Sequence, residues 1–384
     1  MKNILIIAAE NSAEHYGSKI IEKFSESDHE ISFFGAGGDN FAGKNVELVV
    51  HSRELSIVGI VEVLSSIFRL AKIMKKLLDT TLRKNADAAI LIDYPDFNLR
   101  LAKKLKKAGI PVYYYISPTI WAWRYSRIKK IRKYVDHMFI IFPFEKSIYE
   151  KEKIPYTYTG HPLIPSIQIT KSRESFRKSL NIGEEEKILT LLPGSRLSEV
   201  NSFLPEMLKT VKILRSELDL KILILKADNI GSDILERIME NSGTESMIIN
   251  QNDRYNLFNA SDAALASCGT SNLELCICSL PFTAVYRVNK LSYFLGKGLL
   301  KISLYSIVNI LLGKKVVPEF IQKEFTAENC AKSVKSLLTD PVRSELQKEE
   351  FRLLKKELTP GFSPSRIIYE KIVSLIYGIK KFTN

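Results

Sequence analysis

Residues 88–98 read Ala88-Ala89-Ile90-Leu91-Ile92-Asp93-Tyr94-Pro95-Asp96-Phe97-Asn98. The apolar run reads as a buried strand, and it delivers two carboxylates three positions apart at its carboxyl end. Working outward, similar short apolar runs occupy 4–9 and 46–50 upstream and 112–116 and 138–142 downstream, with helical-looking amphipathic sequence between them. This is the rhythm of βαβ units around a parallel sheet. A second series follows at 188–192, 222–225, 247–249, 263–267 and 282–285. The stretch 162–187, with prolines, charges and weak periodicity, reads as the linker between the two series. Thr359-Pro360-Gly361 and then Ser363-Pro364-Ser365 form a helix stop and a helix start ahead of an apolar-periodic stretch at 367–379. The expectation is an α/β chain of two Rossmann-like parallel-sheet domains, 1–166 and 167–354, and a helical tail, 355–384, whose return to the first domain is left open. Ligands of such open sheets bind at the carboxyl ends of the strands.

The bulk numbers agree with two domains. A chain of 384 residues with 45% hydrophobic and 26% charged residues is globular rather than disordered. Its 56 Lys and Arg against 43 Asp and Glu give +13, which suits nucleic acid, acidic lipid headgroups or phosphorylated substrates without choosing among them. Cys268, Cys276, Cys278 and Cys330 match neither a zinc-ligand set nor a disulfide framework, and read as reduced cytosolic thiols. Glu10 interrupts the first apolar run before a secretory segment forms. No uncharged apolar stretch reaches the ~18–20 residues of a bilayer span, the nearest being 302–313, so membrane contact is expected to be peripheral.

Four turns carry candidate chemistry. The first strand runs into Ala8-Ala9-Glu10-Asn11-Ser12, a small-residue turn with a carboxylate at its tip and a helix beyond, suited to an anion or a hydroxylated ligand, or simply a cap. Asp93 or Asp96 can act as general base toward a sugar hydroxyl; a metal held by the pair is the alternative, but Pro95 and the parallel-sheet context match no dedicated metal cage, and Asp96 reads more readily as a helix cap. In the second series, Leu192-Pro193-Gly194-Ser195-Arg196 combines a tight turn with a cation able to hold a diphosphate. Ser267-Cys268-Gly269-Thr270-Ser271-Asn272-Leu273-Glu274 repeats the logic, with Glu274 one turn in, able to accept from ribose hydroxyls. Two such turns in one sheet point to a nucleotide; the alternative is two ordinary capped turns.

Two segments are biased toward cations. From Phe97 to Val135 there is no acid but eleven Lys and Arg, interleaved with Trp121, Trp123 and several tyrosines. Such a stretch fits single-stranded nucleic acid or a phosphorylated lipid at an interface, while the cations of 101–107 also fit the solvated face of a helix. Between Glu274 and Glu319 no acid occurs either, and apolar residues edged by Lys297, Lys301, Lys314 and Lys315 read equally as a membrane-surface element or a core helix.

Taken in order, the chain resembles the lipid-A-disaccharide synthases of Gram-negative bacteria over nearly its whole length. The matching stretches are Ala9-Glu10-Asn11-Ser12 with Gly17, Gly59-Ile60-Val61-Glu62-Val63-Leu64, the Asp93 turn with Leu99, and Ser117-Pro118-Thr119-Ile120-Trp121-Ala122-Trp123-Arg124. They continue in Phe142-Pro143-Phe144-Glu145, Gly160-His161-Pro162, the Arg196 turn, Gly269-Thr270 with Leu273-Glu274, Tyr286-Arg287, Asn309 and Val317-Pro318-Glu319. The resemblance implies a GT-B glycosyltransferase, its two domains facing a central cleft, with the acceptor and lipid on the first and the UDP-sugar on the second. It implies an inverting transfer, independent of metal or cofactor, from UDP-diacylglucosamine to diacylglucosamine 1-phosphate, at the cytoplasmic face of the inner membrane and in peripheral contact with that anionic surface.

Carried over residue by residue, the catalytic set is Asp93 as base with Glu10, Arg196 and Asn309. The UDP set is Gly194, Ser195, Arg196, Gly269, Thr270, Glu274 and Arg287, and the acceptor or membrane contacts are Trp121, Trp123, Arg124, Lys297 and Lys301. Nucleic acid is not an expected partner. The sequence departs from the family pattern at Ala13 and Glu14, at Ser306 ahead of Asn309, and at Cys268 and Asn272. The rival readings are another UDP-amino-sugar enzyme of the same architecture, or a non-catalytic lipid- or nucleic-acid-binding protein.

Overall fold

The computed structural model describes residues 1–55, 63–121, 124–287 and 304–378, with residues 63–67 described by their backbone alone. One unit comprises Met1–Pro162 with Leu358–Asn384, the other Leu163–Glu357. The boundaries fall after 162 and 357 rather than after 166 and 354 because the two connecting segments meet within the first unit. There the His161 N–H donates to the Leu358 carbonyl at 3.1 Å. Gly160, at φ +76°, lies so close to Pro360 that a Cβ would fall 2.1 Å from its Cδ.

Among its described residues the first unit carries seven strands: β1 (Lys2–Ala8), β2 (Ile31–Gly37), β3 (Glu47–His51), β4 (Ala88–Ile92), β5 (Val112–Tyr115), β6 (His137–Ile140) and β7 (Tyr156–Tyr158). They pair in the order β3-β2-β1-β4-β5-β6-β7, all parallel. Ile4 to Ala8 and Ala88 to Ile92 are wholly buried, as expected of central strands covered on both faces. Gly17 is required where the helix Asn11–Ser25 crosses the sheet: a Cβ there would sit 2.7 Å from Phe41 and 2.8 Å from Ile92. The tail helix Pro364–Tyr377, capped by the Ser363 hydroxyl, buries Ile368, Ile372 and Val373. Its Tyr369 ring stands edge-on to Phe24 of the first helix, centroids 4.9 Å apart.

The second unit carries β8 (Lys187–Leu192), β9 (Leu220–Lys226), β10 (Met247–Asn250), β11 (Ala263–Ser267), β12 (Phe282–Tyr286) and β13 (Glu319–Ile321). Their order is β10-β9-β8-β11-β12-β13, again all parallel. One face of this sheet buries Leu189, Leu191, Ile224 and Leu265 with Phe203 and Leu208 of the helix Leu197–Arg215 and Val334 of the helix Ala327–Thr339.

Each sheet has one point where the strand order reverses, between β1 and β4 in the first and between β8 and β11 in the second. At these points Ala8 is in register with Ile92, and Leu192 with Ala266. The loops that leave the two strands there diverge to opposite faces, and the crevice between them is the ligand position of open α/β sheets. All four candidate turns leave these four strands. The four cysteines are free thiols; burial raises Cys278 and Cys330 to about 12 and pushes Cys268 and Cys276 up as well. Among the described residues no helix is long and apolar enough to cross a membrane.

Candidate active site

Asp93 leaves β4 in a left-handed backbone conformation, and Tyr94 shares it; both have φ 47°. Two consecutive non-glycine residues in that region are costly, about 1–3 kcal/mol each, and need outside support. Side chains hold the main chain there. The Tyr114 hydroxyl donates to the Asp93 carbonyl at 2.6 Å, and the buried Asn98 amide donates to the same oxygen at 2.7 Å. The Tyr94 hydroxyl in turn donates to Leu55 O at 2.9 Å. Pro95 then opens the helix Pro95–Lys107. The Asp93 carboxyl is pushed up to about 6, first by burial and then by the negative charge of Glu10, against a hydrogen bond from the Tyr94 N–H. A half-buried carboxylate with a pKa near that of the medium is what a general base requires.

The second carboxylate of the pair goes elsewhere. Asp96 is exposed and ion-pairs with Arg127 at 2.6 Å and Arg124 at 3.4 Å. It ties the helix to the next loop, so the two aspartates do not form a joint metal site. Among the described residues no three His, Cys, Asp or Glu side chains gather as metal ligands.

Glu10 follows β1, beside Asp93 at the strand reversal. It occupies the cap position of the helix Asn11–Ser25 without a side-chain capping bond, and its side chain is exposed. Glu14, one of the departures from the family pattern, is buried and accepts from the Phe41 N–H at 3.0 Å. It therefore braces the loop after β2.

Beside this turn the first unit holds a cavity of about 870 Å³. Leu70, Met74, Tyr94, Phe97, Leu99 and Tyr134 supply apolar lining, and Arg100, Lys103, Lys104, Lys107 and Lys130 supply charge. Cations that the sequence presented as a solvated helix face thus border an apolar groove that begins one residue from Asp93. The helix Val63–Arg83 on its flank exposes Phe68, Arg69, Lys72, Lys75 and Lys76. Trp121 is half-buried with its indole edge-on to Phe144 at 5.3 Å, and Arg124 is engaged with Asp96. Trp123, Lys297 and Lys301 lie outside the described residues, as does most of the motif at 59–64.

In the second unit, Gly194 takes φ +112°, and a side chain there would collide with Glu199. The Glu199 carboxylate accepts from the Ser195 N–H at 3.2 Å and the Arg196 N–H at 3.4 Å, and ion-pairs with the exposed Arg196 guanidinium at 2.7 Å. Three donors that suit a phosphate thus converge on one internal anion. Across the reversal, Gly269 caps the helix Thr270–Ile277, and among the described residues only Ser271 Oγ, at 4.0 Å, lies near an added Cβ. Glu274 is buried one turn in; burial raises its pKa, opposed by the charge of Arg254 and a hydrogen bond from Tyr255.

Two of the expected site residues have local partners. The Asn309 amide is buried and donates to Val317 O and Glu319 Oε1, both at 2.8 Å, while its oxygen accepts from the N–H groups of Val316 at 2.9 Å and Val317 at 2.8 Å. All its hydrogen-bonding capacity is used. Glu319, missed as a partner by sequence reading, also accepts from the N–H groups of Tyr305 and Ser306. Arg287 donates to Phe325 O at 2.6 Å and lies over its ring.

The family model for lipid-A-disaccharide synthetase matches residues 4–371. The lipid-A-disaccharide synthase of Myxococcus xanthus is 37% identical over 333 residues, 86% of this chain and 87% of that protein. That of Geobacter metallireducens is 35% identical over 370 residues, 95% of each. Among solved structures, a co-structure of S. aureus MnaA with UDP superposes with a TM-score of 0.67 at 14% identity, covering 100% of this chain and 99% of that one. Phytolacca americana UGT2, complexed with UDP-2-fluoro-glucose and pterostilbene, gives 0.61 at 14% identity, covering 98% and 100%. At that identity the two structures speak for the GT-B fold alone. On the ordered motifs, the two reversed sheets and the match of nearly its full length, the chain belongs to the lipid-A-disaccharide synthetase family, glycosyltransferases of lipid A biosynthesis.

Proposed function

We propose that the protein transfers diacylglucosamine from UDP to the 6-hydroxyl of diacylglucosamine 1-phosphate, with inversion, giving the β-1,6-linked disaccharide 1-phosphate and UDP. The observation that carries the reading is Asp93: a half-buried carboxyl, raised to about 6 and held in a left-handed turn at the strand reversal of the first sheet. Its carboxylate takes the proton of the acceptor 6-hydroxyl as that oxygen bonds to C1 of the donor sugar. The bond from C1 to the diphosphate oxygen breaks in the same displacement, and its electron pair leaves with UDP. One displacement inverts C1. Glu10, across the reversal, orients the acceptor and keeps the Asp93 proton affinity high.

Charge growing on the departing diphosphate is met by Arg196, which exchanges Glu199 for phosphate, and by the N–H groups of the Gly194-Ser195 and Gly269-Thr270 turns, a preorganised electrostatic role. Glu274 accepts from the ribose. Asn309 and Arg287 act through their neighbours: Asn309 fixes Glu319 and the 316–317 turn, and Arg287 fixes Phe325. The basic-edged groove supports an acceptor that carries both acyl chains and a phosphate. Its volume lies in the ~300–1,000 Å³ range of small-ligand sites. The exposed Phe68 and neighbouring cations of the helix Val63–Arg83 support peripheral contact with an anionic membrane surface. The test is separation of lipid products after incubation with both substrates. A β-1,6 disaccharide with release of UDP supports the assignment, whereas epimerised or hydrolysed UDP-sugar without disaccharide rejects it.

A further inference from the structure

Glu274 has two partners on a different helix, Arg254–Ala260, and both meet the same oxygen. The Tyr255 hydroxyl donates to Oε1 at 3.0 Å, and the Arg254 Nη1 approaches Oε1 at 3.4 Å. The Arg254 guanidinium also lies over the Tyr255 ring, 4.6 Å from its centroid, so one contact fixes the other. An ionised carboxylate offers about four lone-pair sites on its two oxygens. Tyr255 fills one of those of Oε1, and the Arg254 charge lies against the same oxygen. Among the described residues none donates to Oε2, which keeps two, the number that a pair of neighbouring hydroxyls can fill with two donated hydrogens. Glu274 sits one helical turn beyond Gly269 and Thr270, where the second sheet reverses its order and, among the described residues, little crowds the turn.

We propose that Arg254 and Tyr255 are positioning residues that pin Oε1 of Glu274 and thereby present Oε2 to the 2′- and 3′-hydroxyls of the nucleotide ribose. The inference rests on the reading of Glu274 as the ribose acceptor. It deepens that reading, because recognition of a ribonucleotide over its deoxy counterpart then depends on two residues that need not touch the ligand. Without them the buried carboxyl loses both its orientation and the groups that favour its charged form.

The experiment is equilibrium binding of UDP and of 2′-deoxy-UDP to the full chain, with wild type, Glu274→Gln, Tyr255→Phe and Arg254→Lys compared by calorimetry. Wild type is expected to prefer UDP by about ten- to a hundred-fold, the worth of a hydrogen bond to a charged acceptor. Glu274→Gln is expected to abolish the preference, and Tyr255→Phe and Arg254→Lys to cut it to about threefold or less. In turnover, Tyr255→Phe raises KM for the UDP-sugar while kcat at saturating donor stays within about threefold, a split that general loosening of the fold does not produce. Should Tyr255→Phe fold poorly by its melting profile, Arg254→Lys, which keeps the charge, carries the test. If Glu274→Gln erases the preference but both neighbours leave it at the wild-type value, the positioning role is refuted and the ribose reading stands. If Glu274→Gln leaves the preference intact, the ribose reading fails, and the inference fails with it.

Discussion

Replacing Asp93 by Asn removes a carboxylate whose ionisation the fold resists. Its pKa stands at about 6 against 3.8 for an unperturbed Asp. At about 1.36 kcal/mol per unit, the ionised form costs the folded state up to about 3 kcal/mol. Solvent access to the half-buried group reduces this to about 1–2 kcal/mol. The sign follows from linkage. Below about pH 4 both folded and unfolded chains carry the proton and there is no penalty; it grows through pH 4–6 and is complete above. Asn can still accept the Tyr94 N–H. Asp93→Asn is therefore expected to stabilise the first unit at pH 8 by about 1–2 kcal/mol, or about 2–8 °C in melting temperature, and by about half as much at pH 5. The assay is thermal unfolding of both proteins at the two pH values, with UDP binding measured in parallel and expected to be unchanged. A variant less stable than wild type at pH 8, or a gain equal at both pH values, refutes the claim that burial and Glu10 raise this carboxyl.

The same shift predicts that kcat/KM of wild type rises with pH through about 6 as the base ionises; a profile flat between pH 5 and 7 contradicts that role. Changing Lys103, Lys104 and Lys107 together to Ala is expected to raise KM for the phosphorylated acceptor about tenfold in a steady-state assay, while UDP binding by calorimetry stays at the wild-type value. Ile372→Ala, in the wholly buried face of the tail helix, is expected to cost about 2–5 kcal/mol, read as an earlier melting transition of the full chain.

The central strands were legible because burial on both faces writes an unbroken apolar run, as at 88–92. Three strands were not. In β2, Ser32, Gly35 and Gly37 dilute the run, and the structure explains one of them: at Gly35 the register with β3 shifts, and a Cβ would fall 2.0 Å from Ile6 O. The edge strands β7 (Tyr-Thr-Tyr) and β13 (Glu-Phe-Ile) are short and partly exposed, so neither has an apolar signature. In the site, Asp93 stood out because strand and turn are contiguous in sequence. Arg254 and Tyr255 did not, since the carboxylate they hold lies about twenty residues away on another helix. Nor could spacing show that the Asn309 amide spends all its bonds on Glu319 and the 316–317 backbone.

The most direct test of the account is disaccharide formation by purified wild type and Asp93→Asn, with both lipid substrates and EDTA present. The account predicts disaccharide 1-phosphate and UDP from wild type, and a variant that folds and binds UDP normally but turns over about 10²–10⁴-fold more slowly, the usual worth of a general base. Wild-type turnover by Asp93→Asn, or no disaccharide from well-folded wild type, would contradict it.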